Sequence, residues 1–170
     1  RLPLLRTWSE DGGPFVTLPL VYTEHPEGLG GNLGMYRIQR FSDDTTGLHV
    51  QIGKGGGFHL AAYERLGRPM PVAVHIGGPP ALILSAIAPL PENVPEVLLC
   101  SLLLGKRLRS TKSAHSPLPL VADCEFCIVG EVRPGERRPE GPFGDHYGYY
   151  SLRHDYPLLR AKALLHRQDP

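Results

Sequence analysis

The sequence predicts an α+β fold dominated by strands: a β-barrel or curled sheet with a few helices gathered at one end. Three observations carry this. Segments that alternate with period two come first, two or three helical segments follow, and strands return at the end. Gly (20) and Pro (18) are frequent in 170 residues, so elements are short and connections many. No repeat or low-complexity tract interrupts that order.

In order, "FVTLPLVYT" (Phe15 to Thr23) predicts a strand, with Pro19 at an edge or bulge. "HPEGLGGN" is a loop. "LGMYRIQRF" (Leu33 to Phe41) alternates and predicts a strand with Tyr36 and Arg37 on opposite faces. "SDDTTG" is a hairpin turn, and "LHVQIG" (Leu48 to Gly53) its return strand. "KGGGFHLAAYERLGR" passes from glycines into a helix near Phe58–Leu66, with Phe58, Ala61, Ala62 and Leu66 at helical spacing and Gly67 as cap. "PVAVHIGG" is a buried strand. "PPALILSAIAP" carries prolines where a helix start tolerates them and predicts a helix over Ala81–Ala88. "VPEVLLCSLLLG" predicts a helix over Glu96–Leu104, ended by Gly105. "KRLRSTKS" and "EFCIVGEV" read as strands. "YPLLRAKALLHR" favours helix on propensity, while Pro157 and an alternating pattern keep strand open.

The length predicts one domain with a real core. A hydrophobic share of 41% and a charged share of 21% exclude a disordered chain. Net charge is +1, and no basic block or basic–aromatic alternation makes a case for nucleic acid. The longest apolar stretch, "PALILSAIAPLP", falls short of the roughly 18 residues of a transmembrane helix. No signal-peptide pattern is present. The chain opens without an initiator Met, inside an apolar run, and reads as a piece of something longer. Three cysteines fit a reducing compartment, so a cytoplasmic location is expected. Cys124 and Cys127 form a CxxC, but neither a second ligand pair nor a helix start accompanies it. The reading is of buried thiols on opposite faces of a strand.

Four motifs carry chemistry. "KGGGFH" sets Lys54 and three glycines before a helix, where backbone N–H groups and the helix dipole attract an anion. "GGNLGMYR" holds Asn32, whose carbonyl oxygen suits a hard cation, and Arg37, whose fork suits a carboxylate or phosphate. Glu96 stands in the first turn of a helix, where the dipole favours a surface carboxylate. "RRPEGPFGDHYGYY" embeds Glu140 and Asp145 in rigid, glycine-rich backbone, which suits a general acid whose position matters. The eight histidines show no paired zinc spacing.

Together with "LPLLRTWSEDGGPFVTLPLV", "PVAVHIGGPPALILSAIAPLP" and the closing "HRQDP", these motifs resemble the UbiD family of prenylated-FMN-dependent decarboxylases, in the family's order and over nearly the whole chain. The resemblance implies a split β-barrel of flavin-reductase type that binds prenylated FMN. It implies Mn²⁺ or Mg²⁺ bridging the cofactor phosphate, with K⁺ nearby. It implies reversible, non-oxidative decarboxylation of an aromatic or α,β-unsaturated acid, as in ubiquinone or menaquinone synthesis. Residue by residue, Asn32 and Glu96 fall on metal ligands. Thr17, Met35, Tyr36, Arg37, His49, Val50, Gln51, Lys54 and Gly55 fall on cofactor contacts. Arg37, Glu140 and Asp145 match the catalytic network, with Asp145 as proton donor. Apolar and aromatic neighbours are expected round Asp145, raising its pKa. The likeness also implies a homo-oligomer, or association with a missing C-terminal part that closes the site. The alternative is a non-catalytic flavin-binding module that needs a partner chain. Gly53 stands where many relatives carry His.

Overall fold

The computed structural model describes residues 2–91 and 94–170. Its strands in chain order are β1 (Phe15–Val16), β2 (Leu20–Glu24), β3 (Gly31–Met35), β4 (Ile38–Gln39), β5 (Thr45–Gly47), β6 (Met70–Ile76), β7 (Ser110–Ser113), β8 (Ser116–Val121), β9 (Phe126–Glu140), β10 (Phe143–Gly144), β11 (Tyr150–Ser151) and β12 (His154–His166). The helices are α1 (Gly55–Arg65), α2 (Pro80–Ile87) and α3 (Glu96–Leu104).

The architecture is α+β and β-dominated, as expected. One antiparallel sheet runs β3-β2-β6-β9-β12-β5. It curls back on itself. β5 reaches β4 through the single bridge Arg40↔Thr46, and β4 follows β3 after two residues. Among the described residues no continuous ladder closes the ring, so the barrel is split. β6 lies in the middle and is covered on both faces, which explains the unbroken apolar run in "PVAVHI". Val72, Val74 and Ile76 enter the main core with Val21, Ile38, Leu48, Leu60 and Leu159. Ala73 packs on the other face with Leu118, Leu120 and Val129 under the β7–β8 hairpin. A third cluster seats α2 and α3 on Leu20 and Leu33 through Leu82 and Cys100.

Several boundaries differ from expectation. The strand expected over Phe15–Thr23 breaks at Thr17–Pro19, and that over Leu33–Phe41 breaks at Tyr36–Arg37, where the sheet turns its corner. The expected turn "SDDTTG" supplies β5, which pairs with Leu158–Arg160 of β12. Leu48–Gly53 is not a strand. α1 starts at Gly55 and buries Gly56, His59, Leu60, Ala62 and Tyr63, so of the residues at helical spacing only Ala62 faces the core, while Phe58, Ala61 and Leu66 are exposed. "YPLLRAKALLHR" is strand: β12 is hydrogen-bonded to β9 on one side and β5 on the other, which outweighs helix propensity. Cys124 lies in the turn before β9 rather than on it, so it and Cys127 share one cluster instead of facing apart.

Candidate active site

The corner between β3 and β4 turns Arg37 toward the last residue of β9. Glu140 is 1% exposed. Its Oε1 accepts the Arg37 Nε–H at 2.9 Å and lies 2.9 Å from His49 Nδ1. A carboxylate only accepts, so His49 carries its proton on Nδ1. Glu140 Oε2 is buried with no partner among the described residues. It faces Gly47, where an added Cβ would stand 3.0 Å from Oε2 and 3.1 Å from Phe41 Cζ. Arg37 Nη2 also donates to Ser151 Oγ at 3.3 Å, and its guanidinium lies 4.4 Å from the centre of the Phe143 ring. His49 packs on Tyr156 with ring centres 4.0 Å apart. Burial, and then the Glu140 charge, push the Tyr156 hydroxyl up from its ordinary pKa. The His49 N–H donates to the Arg37 carbonyl at 3.2 Å, and the Gly141 N–H to Gln39 Oε1 at 2.8 Å. Three segments remote in sequence are thus tied round one carboxylate.

Asp145 stands apart from that pair. Its side chain is 40% exposed, on a turn where it accepts the Tyr147 N–H at 3.2 Å and pairs with His146 at 2.5 Å. Tyr147 and Tyr149 face solvent. The apolar surroundings expected for this carboxyl are not provided by the described residues.

A second group of candidates gathers at the start of α1. Lys54 is the N-cap residue, extended, and among the described residues no side chain caps the helix. The Tyr36 hydroxyl accepts the Gly56 N–H and the Asn32 Nδ2–H, both at 3.1 Å. That arrangement leaves Asn32 Oδ1 toward Gly55, where a Cβ would lie only 2.0 Å away. Glu96, first residue of α3, accepts the Leu33 N–H through Oε2 at 3.0 Å. This satisfies the free edge of β3 and brings Glu96 beside Asn32's strand.

A family model described as UbiD, 3-octaprenyl-4-hydroxybenzoate carboxy-lyase Rift-related domain, matches residues 1–170. The chain belongs to the UbiD family. It is 58% identical over 170 residues to a protein of Chlamydia trachomatis, covering 99% of this chain and 29% of that one. It is 56% identical over 169 residues to a 4-hydroxybenzoate decarboxylase subunit of Chlamydia pneumoniae, with the same coverage. Among solved structures it resembles an evolved dimeric form of the UbiD-class enzyme HmfF from Pelotomaculum thermopropionicum in complex with prFMN. There the TM-score is 0.94 at 30% identity, over 99% of this chain and 39% of that one. The chain therefore spans less than two fifths of these relatives' length.

The residues singled out by the UbiD likeness divide into two groups and some outliers. Arg37, His49 and Glu140 come together, as do Asn32, Tyr36, Lys54, Gly55 and Glu96. The Val50 side chain is buried in the main core, so only its backbone is free to meet a ligand. Met35 packs toward α2 and α3, and Gln51 is exposed, its carbonyl accepting the Lys54 N–H at 3.3 Å. Thr17 lies in the break between β1 and β2. Sequence reasoning missed Asp11. It is 2% exposed, accepts the Thr7 and Trp8 N–H groups, and takes the Gly144 N–H at 2.8 Å. Its signal was the "EDGG" turn, which carries no chemistry when read alone.

Proposed function

We propose that residues 1–170 form a prenylated-FMN-binding domain of a UbiD-type decarboxylase. The reaction is the reversible, non-oxidative decarboxylation of an aromatic or α,β-unsaturated acid, of the kind used in ubiquinone or menaquinone synthesis. The observation that supports this best is how Arg37 is held. Glu140 takes Nε, and Ser151 takes one Nη2 hydrogen. The Nη1 side of the fork is left to bind a substrate carboxylate, in a half-buried place where such a pair is strong.

The residues fit the cofactor. An uncapped helix start beside Lys54, lined by glycines that admit no Cβ, suits a phosphate. Asn32 Oδ1 and Glu96 Oε1 would hold Mn²⁺ or Mg²⁺, a hard cation that would neutralise the cofactor phosphate, and K⁺ would be the accompanying monovalent cation. Among the described residues no group of three His, Cys, Asp or Glu offers a fuller cage. Burial first, then the hydrogen bond to Glu24 and the charges of Glu24 and Glu96, hold the Tyr22 hydroxyl far above its ordinary pKa. Prenylated FMN supplies, when bound, an electron sink for the charge left as CO₂ departs. Glu140 fixes the Arg37 rotamer, Arg37 orients the carboxylate, and Asp145 delivers the proton to the carbon that lost CO₂. Thr17, Met35, Tyr36, His49, Val50, Gln51, Lys54 and Gly55 would line the cofactor.

The test is reconstitution with prenylated FMN and Mn²⁺, followed by CO₂ release and by deuterium exchange at the product's reacting carbon. Exchange at the wild-type rate in Asp145→Asn would remove the donor role from Asp145. A second reading has support in the chain's 29% share of its chlamydial relatives, one of which is named as part of a multi-subunit decarboxylase. In that reading the domain binds flavin and turns over only with the rest of a longer polypeptide or a partner protein. Activity of the 170-residue chain alone would exclude it. No described helix is long and apolar enough to cross a membrane, and we place the protein in the cytoplasm.

A further inference from the structure

Cys124 and Cys127 serve none of the roles above. Cys124 sits in the turn after β8, and Cys127 is the second residue of β9. Both are free and packed in one cluster with Leu118, Leu120 and Val129. The Cys124 Sγ–H points to the Val121 carbonyl at 3.0 Å. The neighbouring Cys127 thiol holds Cys124 below the ordinary thiol range, and Cys124 together with burial pushes Cys127 up. Arg167 adds positive charge near Cys124, while Asp123 opposes it. A surface cavity of about 140 Å³ opens onto the pair, lined by both cysteines with Leu120, Phe126, Leu165 and Arg167. Cys100 is the internal contrast. It is wholly buried on the inner face of α3 among Leu20, Leu33 and Leu82, and burial raises its pKa.

We propose that Cys124 and Cys127 form a peroxide-reactive dithiol, reached through this cavity and reversibly oxidised to a disulfide. The volume admits a molecule of peroxide size, since a water occupies about 30 Å³. The Cys124 thiolate attacks one peroxide oxygen, the O–O bond breaks, and one water leaves, giving a sulfenic acid. The Cys127 sulfur, losing its proton, attacks that sulfur, and the hydroxyl leaves as the second water. Two thiols are oxidised and one peroxide is reduced. Cys124 is the nucleophile because it lines the cavity together with Arg167, whose positive charge favours a thiolate there.

The experiment treats the intact protein with hydrogen peroxide, alkylates it after denaturation, and maps each cysteine by mass spectrometry. The expected product is about 2 Da lighter in the peptide that carries both cysteines, from loss of two hydrogens. It should form on the order of tenfold faster than any change at Cys100 and revert with dithiothreitol. Cys127→Ser should leave a Cys124 sulfenic acid that dimedone traps, and Cys124→Ser should yield no trapped product at position 127. A pair no more reactive than Cys100, or one that passes to sulfinic acid without that mass loss, would overturn the proposal.

Discussion

Replacing Glu140 by Gln should cost about 3 kcal/mol of stability and disable the Arg37 fork at once. The magnitude follows from the site. Glu140 is fully buried, and one oxygen takes both the Arg37 and the His49 donors. Removing one partner of a buried ion pair typically costs about 3–5 kcal/mol, because the other charge stays uncompensated. The lower end applies, since the Arg37 side chain keeps 16% exposure and lies over Phe143. The amide also puts an N–H where one carboxylate oxygen stood, and placed at Oε1 it would face the Arg37 and His49 donors instead of accepting from them. The assay is urea unfolding followed by tryptophan fluorescence. The single tryptophan, Trp8, packs on Gly144 four residues beyond Glu140 and so reports this region. Glu136→Gln, which breaks a partly solvent-accessible pair with Arg160, is the control and should cost a small fraction of that. Equal losses in the two variants would refute the claim that the buried pair organises the site.

Other expectations are smaller in scope. Asp145→Asn should lower turnover by on the order of 10²-fold while leaving the urea midpoint nearly unchanged, because the side chain is half exposed on a turn. Gly55→Ala should displace Asn32 Oδ1 and weaken flavin phosphate or Mn²⁺ binding by about tenfold, read by fluorescence titration against an unaltered circular dichroism spectrum. Acid should destabilise the fold through His75, whose Nδ1–H donates to the Leu20 carbonyl and whose Nε2 accepts the Val121 N–H, with burial lowering its pKa to about 4. The unfolded chain takes up that proton below about pH 6.5 and the folded chain does not. Stability is therefore fully present above about pH 6.5 and lost as pH falls toward 4, by about 2 kcal/mol between pH 7 and 5. His59, buried near His25 and also lowered to about 4, adds in the same direction. His75→Gln should flatten the profile, and an unchanged slope would move the effect elsewhere.

How much of this was legible depends on the kind of signal. α3 was readable to the residue because Gly105, left-handed at φ 64°, ends it unambiguously. β6 was readable because both its faces are covered. The strand character of β12 was not, because "LLRAKALL" is locally a helix and only pairing to β9 and β5 decides otherwise. β8 was hidden by Pro117 and Pro119, which are tolerated since the strand pairs with β7 alone. In the site, the Arg37–Glu140 contact came from resemblance and not from pattern, since the two lie 103 residues apart. The role of His49 as second donor to Glu140 had no sequence signal, because it depends on the sheet corner bringing residues 37 and 49 together.

The motif "PEGPFGDHYGYY" divides at Gly144 into halves of different physical character. The first half is held from several sides. Glu140 binds Arg37 and His49, Gly141 donates to Gln39, Phe143 donates to Ser151 Oγ, and Gly144 donates to Asp11. The second half closes on itself through Asp145, Tyr147 and Tyr149, with Tyr147 and Tyr149 in solvent, and among the described residues is tied back only at Tyr150, which pairs with Gly144 and accepts the Glu10 N–H. A carboxylate that only orients an arginine gains from the first environment, because a fixed rotamer is all that is asked of it. A proton donor needs water excluded when it acts. Among the described residues, nothing covers Asp145 to that degree. The donor role proposed for Asp145 therefore requires cofactor, substrate or a further polypeptide segment to complete its surroundings, and that requirement links the proposed catalytic reading to the partner-dependent one.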